Sequence, residues 1–198
     1  MARRPLIALV AVVVVGLALG GWAIGVNNQL IRLDQGVSEK WAQVQNVYQR
    51  RADLIPNLVE TVRGFAAQER RVLEEVTRAR ASATQVQLPP QALSDPKALE
   101  RFQEAQGQLS GALSRLLVVV ERYPELKSNQ NFLALQSQLE GTENRIAVER
   151  RRYNEAVRDY NTRLRLFPGS LVAGLTGFQP KAFFEATPDA ATPPRVKF

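Results

Sequence analysis

Apolar positions divide the chain into one unbroken run followed by a set of stripes. No charged residue occurs from Pro5 to Val26 (PLIALVAVVVVGLALGGWAIGV), and a hydrocarbon core of about 30 Å needs roughly 20 residues of helix to cross it. In lipid the backbone can satisfy its hydrogen bonds only with itself, so the run is expected to be helical despite Gly16, Gly20, Gly21 and Gly25. Arg3 and Arg4 ahead of it would also suit the start of a secretory signal. A small-x-small cleavage site is missing, however, because Trp22 interrupts the small residues and apolar residues continue to Val26. The run is therefore read as a retained membrane anchor.

Beyond Val26 the apolar residues recur in steps of three and four, the mark of amphipathic helices. Leu30, Leu33, Val37, Trp41, Val44 and Tyr48 trace a first stripe, and no Pro lies between Val26 and Ala52, so this helix can continue from the span as one rod. Asp53 is the expected N-cap of a second helix, with Pro56 near its start and Leu58, Val62, Phe65, Val72, Val76 and Ala79 as its stripe. The stretch VQLPPQALSDPK, residues 86–97, reads as a connection, with Asp95 the N-cap and Pro96 the first residue of a third helix. That helix carries Leu99, Phe102, Leu109, Leu113, Leu116, Val120 and Tyr123 and is expected to end at Pro124. A fourth carries Phe132, Leu135, Leu139, Ile146, Tyr153, Val157, Tyr160, Leu164 and Phe167 and is expected to end at Pro168-Gly169.

The pattern predicts an all-α protein, an amino-terminal transmembrane helix followed by an antiparallel up-and-down bundle of four long helices. Residues 1–4 would be a short basic tail, 5–26 the span, 27–167 the bundle, 168–185 a Gly- and Phe-rich segment packing back on it, and 186–198 a disordered tail. Trp41, Phe65, Phe102, Leu116, Phe132, Leu139, Ile146 and Tyr153 are the expected core.

Composition narrows the chemistry. The 198 residues include no Cys and no His, which removes disulfides, thiolate zinc sites, a Cys nucleophile and an imidazole base or ligand. A di-iron bundle would need Glu-x-x-His motifs; no metal or other cofactor is expected. Glu74 with Glu75, and Glu140 with Glu143, are neighbours along a helix rather than carboxylates opposed across a cleft, so the chain is not expected to be an enzyme. The net charge of +7 is read as solvated helix faces, the alternative being attraction to anionic lipid. No basic cluster interleaved with aromatics argues for nucleic acid. Arg3 and Arg4 against the span favour a cytoplasmic amino terminus with the bundle outside the cytoplasm.

Three constellations stand out. Tyr153-Asn154 and Tyr160-Asn161 form a seven-residue repeat on one seam of the fourth helix. Rings filling the core while hydroxyls and amides pin register is one reading, and an exposed amide-and-phenol groove for an extended peptide is the other. Glu143, Asn144, Arg145 and Arg150, facing Arg50, Arg51 and Asp53, make a candidate structural polar network together with Asn154 and Asn161. Last, the segment from Leu171 to Glu185 is too apolar for a free tail, yet its Gly and Pro residues speak against a regular helix. Leu171, Leu175, Phe178, Phe183 and Phe184 are candidate partner-docking residues, unless the segment only caps the open end of the bundle.

The stretches RRADLIPNLVETVRGFAAQE (residues 50–69) and YPELKSNQNFLALQSQLEGTENRIAVERRRYNEAVRDYN (residues 123–161) resemble the LemA family of bacterial proteins. The second carries the family's YPxLK, NxNF, LQ, TENRI and YN-x5-YN signature, and the ending FP, GF and FFE at Phe167-Pro168, Gly177-Phe178 and Phe183-Phe184-Glu185 is similar too. The resemblance implies a single-pass anchor in the bacterial inner membrane and a four-helix bundle. It also implies a place in membrane and envelope organisation, magnetosome formation included, and an association with a membrane zinc peptidase. The expected role is a non-catalytic scaffold or adaptor for other membrane or envelope proteins, with homo-oligomers possible. The alternatives are an adaptor or substrate of a membrane peptidase, and a membrane-shaping protein that binds anionic lipid.

Overall fold

The computed structural model describes residues 3–185; the tail expected over 186–198 and the first two residues lie outside the described residues. All regular structure among the described residues is helical: α1 (Arg3–Phe65), α2 (Arg70–Gln85), a 3-10 turn (Pro90–Ser94), α3 (Pro96–Val120), α4 (Pro124–Lys127), α5 (Gln130–Arg165) and α6 (Gly169–Thr176).

α1 is a single helix of 63 residues, about 95 Å long at ~1.5 Å per residue. Large apolar side chains such as Leu9, Leu17 and Ile24 stand exposed along its beginning, whereas Val26, Leu30, Val37, Trp41, Val44 and Tyr48 are buried. It is long and apolar enough to cross a membrane.

The second helix does not start at Asp53. α1 runs through Pro56 to Phe65, so Asp53 caps nothing, and Leu58 and Val62 belong to the long helix. A proline inside a helix leaves the carbonyl four residues earlier without its donor, at a cost of about 3 kcal/mol or more. Here that carbonyl is Ala52's, and Arg80 Nε on α2 donates to it at 2.7 Å. The chain therefore turns at Ala66–Glu69 instead, leaving Phe65 at the helix end and 40% exposed rather than in the core. The other seven residues expected in the core are buried.

Elsewhere the boundaries shift by a few residues. Asp95 caps α3 as expected, its carboxylate accepting from Lys97 N at 3.0 Å. α3 ends at Val120, before Tyr123, and Pro124 opens the short α4 rather than ending a long helix. α5 is capped by Asn129, which accepts from Phe132 N at 3.1 Å, and ends at Arg165, leaving Phe167 75% exposed. After it comes a true helix, α6, where the glycines were expected to prevent one. Gly169 lets the helix begin against α5, since a Cβ there would lie 2.0 Å from Arg163 O, and Gly177 ends it at φ 79 in the left-handed region.

Buried residues form two clusters. The far one is mainly aliphatic: Ile55, Leu58 and Val62 of α1 with Leu73 and Val76 of α2, Leu109 and Leu116 of α3 and Phe132 and Leu139 of α5. The near one, toward the apolar run, gathers Trp41, Tyr48, Phe102, Tyr153, Tyr160 and Phe184. With only 16 residues, α2 cannot accompany α1 along both. Beside the near cluster its place is taken by non-helical chain, including Leu88, and by the 3-10 turn's Leu93.

Candidate functional site

The extended segment after α6 lies along α5, held by the two Tyr-Asn pairs. Asn161 Nδ2 donates to Lys181 O at 2.8 Å while its Oδ1 accepts from Lys181 N at 2.9 Å. Seven residues earlier, Asn154 makes the same pair with Phe184, donating to its O at 3.0 Å and accepting from its N at 2.9 Å. Tyr160 and Tyr153 hydroxyls donate to Gln179 O at 2.9 Å and Ala182 O at 3.0 Å. The spacing explains the match, because seven helical residues rise about 10.5 Å and three extended residues span about 10 Å. Each Asn amide thus serves as a neighbouring peptide group would in a sheet, and the chain of residues 178–185 is bound by its backbone. We call it the strap.

One side chain of the strap is bound as well. Phe184 is buried, its ring 5.9 Å from that of Trp41 and 5.3 Å from that of Tyr153. Arg150 stacks over it at 4.7 Å and donates to Glu185 O at 3.1 Å. Lys181 pairs with Asp34 of α1 at 3.0 Å, and Ala182 N reaches Leu93 O at 2.8 Å. Trp41 Nε1 donates to Leu88 O at 2.8 Å, joined by Gln45 Nε2 at 3.3 Å. Extended chain cannot satisfy its own backbone groups, and these side chains supply the partners. Burial pushes the Tyr160 phenol up to about 12, with Asp34 adding to it, and pushes Tyr153 further in the same direction; both hydroxyls are held as neutral donors.

Arg51 marks the boundary between the two clusters. Its side chain is 1% exposed; Nη1 meets Glu143 Oε1 at 2.6 Å and Ser110 Oγ at 2.9 Å. Nη2 meets Gln106 Oε1 at 2.5 Å, and Gln106 Nε2 continues to Ala83 O at 3.2 Å. One arginine therefore ties α1 to α3 and α5, and through Gln106 to α2. Of the residues grouped by sequence as one network, the structure joins only Arg51 and Glu143 directly. Asp53 pairs with Gln49 on the surface, and Arg50, Asn144 and Arg145 are exposed. Arg150 belongs to the strap and to Gln103, at 3.3 Å, and Asn154 and Asn161 bind the strap alone. Gln106, Ser110 and Arg80 carried no signal in the sequence beyond their places on helices, and Trp41 was expected as core without its bond to Leu88.

The five apolar residues of the carboxy-terminal region separate. Phe184 is core, Phe178 is half-buried and packs on the near cluster, and Leu171, Leu175 and Phe183 are exposed. A separate open groove of about 520 Å³ lies between α3 and α5, walled by Leu113, Leu117 and Leu139 and rimmed by Ser114, Gln136 and Glu140.

The LemA family profile matches residues 40–198, a stretch that holds the strap, the Tyr-Asn pairs and the Arg51 level. Magnetosome protein MamQ 2 of Paramagnetospirillum magneticum is 27% identical over 182 residues, covering 84% of this chain and 67% of the relative. Magnetosome protein MamQ of Magnetospirillum gryphiswaldense is 26% identical over 182 residues with the same coverage. The chain belongs to the LemA family, and its apolar amino-terminal helix marks it as membrane-associated.

Proposed function

We propose that this LemA-family chain is a non-catalytic, single-pass scaffold or adaptor of the bacterial inner membrane, with its helices folded as an antiparallel four-helix bundle outside the cytoplasm. The observation that carries the reading is the continuity of α1, which passes from the exposed apolar stretch into the packed core without a break. A rod of this kind fixes the height of the bundle above the lipid, as a scaffold requires. The four-helix arrangement is supported at the level of Arg51, where α1, α3 and α5 meet and Gln106 adds α2. A second support comes from the far end, where Glu69 beside the first turn accepts from Arg122 at 3.0 Å and Tyr123 at 2.9 Å beside the second. The non-catalytic reading is supported by Arg51, Glu143, Tyr153, Asn154, Tyr160 and Asn161, which are engaged with backbone or with one another. The named relatives are magnetosome proteins, which fits a role in organising a membrane.

Photocrosslinking in intact cells tests the role. A photoreactive residue at Gln136 or Glu140, beside the α3–α5 groove, should capture a defined set of envelope proteins, and Leu117→Lys should abolish the capture without unfolding the chain. Equal capture from Arg71 on α2, or none from the groove, contradicts the scaffold reading. Because the chain has no cysteine, Ser128→Cys at the far end reports orientation. Labelling by an impermeant maleimide in intact spheroplasts is expected, and labelling only after lysis reverses the topology.

A further inference from the structure

The carboxy-terminal end of α5 and the following α6 sit beside the last turns of the apolar run. Val172 and Ala173 of α6 are buried in one cluster with Val26 and Leu30 of α1, and the Phe167 ring lies 6.0 Å from that of Trp22. The other face of this corner is apolar and open. Leu166 is 57% exposed, Phe167 75%, Leu171 56% and Leu175 82%, and the last two, four apart on a helix, point the same way. Four large apolar side chains exposed within ten residues at one corner mark an interaction site rather than ordinary solvent-facing surface.

What covers it follows from what it adjoins. The exposed apolar side chains of α1 continue up to Trp22 and Ile24, so Phe167, its ring beside that of Trp22, extends the lipid-facing surface sideways. Aromatic rings at this depth are characteristic of membrane interfaces. Polar groups begin just beyond, with Asn27, Asn28 and Gln29 on α1. Arg32 and Arg165 stand exposed nearby, where a guanidinium can reach phosphate while its stem stays on apolar surface.

We propose that Leu166, Phe167 and the outer face of α6 form a collar seated in the headgroup–acyl boundary of the bilayer. The ligand of this surface is lipid, and the collar gives the bundle a second point of contact with the membrane besides α1. With two contacts the bundle is fixed in tilt and rotation, not in height alone. The proposal rests on the reading of α1 as a span, and its test separates the two.

Single-cysteine variants Leu17→Cys, Leu171→Cys, Leu175→Cys and Ser128→Cys of the full chain would carry a nitroxide in nanodiscs of mixed zwitterionic and anionic phospholipid. Power saturation compares their accessibility to oxygen, which concentrates in lipid, with that to a water-soluble nickel chelate. The expected result is oxygen preference at Leu17, a shallower oxygen preference at Leu171 and Leu175 that is several-fold above Ser128, and nickel preference at Ser128. Nickel preference at both Leu171 and Leu175 while Leu17 stays oxygen-preferring overturns the collar and leaves the span. Nickel preference at Leu17 overturns the span itself. Shielding of Leu171 and Leu175 from both reagents also overturns the proposal, since protein would then cover the face.

Discussion

The two halves of the packed region solve the same problem with different materials. In the far half α2 and α3 pack beside α1 and α5, and the core they share is mainly aliphatic, with Phe132 its fully buried ring. In the near half α2 has ended, and non-helical chain fills the space that it leaves. Helices satisfy their own backbone and can be packed with Leu and Val alone. Extended chain brings unpaired N–H and C=O groups into the core, and each one buried without a partner costs about 1–3 kcal/mol. The near half is accordingly built from side chains that carry both a large apolar body and a polar tip: Trp41, Tyr153 and Tyr160, with Asn154 and Asn161 beside them. The composition of a core thus reflects whether its neighbours are helical.

The largest test of this contrast is Trp41→Ala, which removes a ring within 5.3 Å of Phe102 and 5.6 Å of Tyr153 and also the donor to Leu88 O. A loss of about 3–5 kcal/mol is expected, measured by denaturant unfolding, together with proteolytic release of the strap. Leu116→Ala in the far half should cost about 2–5 kcal/mol and leave the strap protected until global unfolding. If both substitutions freed the strap equally, the halves would be one unit.

Replacing Asn154 and Asn161 together by Ala deletes four bonds to the strap. The expected loss is about 2–4 kcal/mol, with cleavage confined to the carboxy-terminal segment in limited proteolysis. Unchanged unfolding and an uncut strap would show that Phe184 alone holds it.

Alkali should act on the same half. The folded pKa of Tyr160 is raised from 10.0 to about 12, so its contribution is whole below pH 10 and disappears as the pH climbs through about 12. Stability of the strap should fall over that window, and Tyr160→Phe should remove part of the dependence. A phenolate absorbance rise near pH 10 that disappears in Tyr160→Phe, with the strap intact, would contradict the burial of that hydroxyl.

Glu143→Gln is expected to cost only about 1 kcal/mol, because Glu143 is 47% exposed and solvent screens the pair, while Arg51 keeps Ser110 and Gln106. The smallest effect is expected at Phe65→Ala, below about 0.5 kcal/mol as for ordinary surface positions, in keeping with its exposure. Thermal unfolding of the two variants checks the order.

Helical periodicity made the far half legible, since Leu109, Leu113 and Leu116 of α3 and Phe132, Leu135 and Leu139 of α5 recur in the steps of three and four of a buried helix face. The boundary at Pro56 was not legible. Proline at the start of a helix and proline inside one look alike in sequence, and the difference lies in Arg80, 24 residues later, which satisfies the carbonyl of Ala52. In the near half the Tyr-Asn repeat announced a special seam: the rings are core, and the amides, instead of lining an exposed groove, grip the chain's own extended segment. α6 was missed because glycine count was weighed without position; Gly169 and Gly177 lie at its ends, where glycine starts and stops a helix rather than breaking it.

Amide hydrogen exchange of the full chain in nanodiscs tests most directly the claim that the near half is completed by the strap. Lys181, Ala182 and Phe184, whose N–H groups bond to Asn161, Leu93 and Asn154, should be protected to the level of Val157 in the neighbouring turn of α5. Exchange of these three amides at the rate of an unstructured peptide, with Val157 still protected, would contradict it.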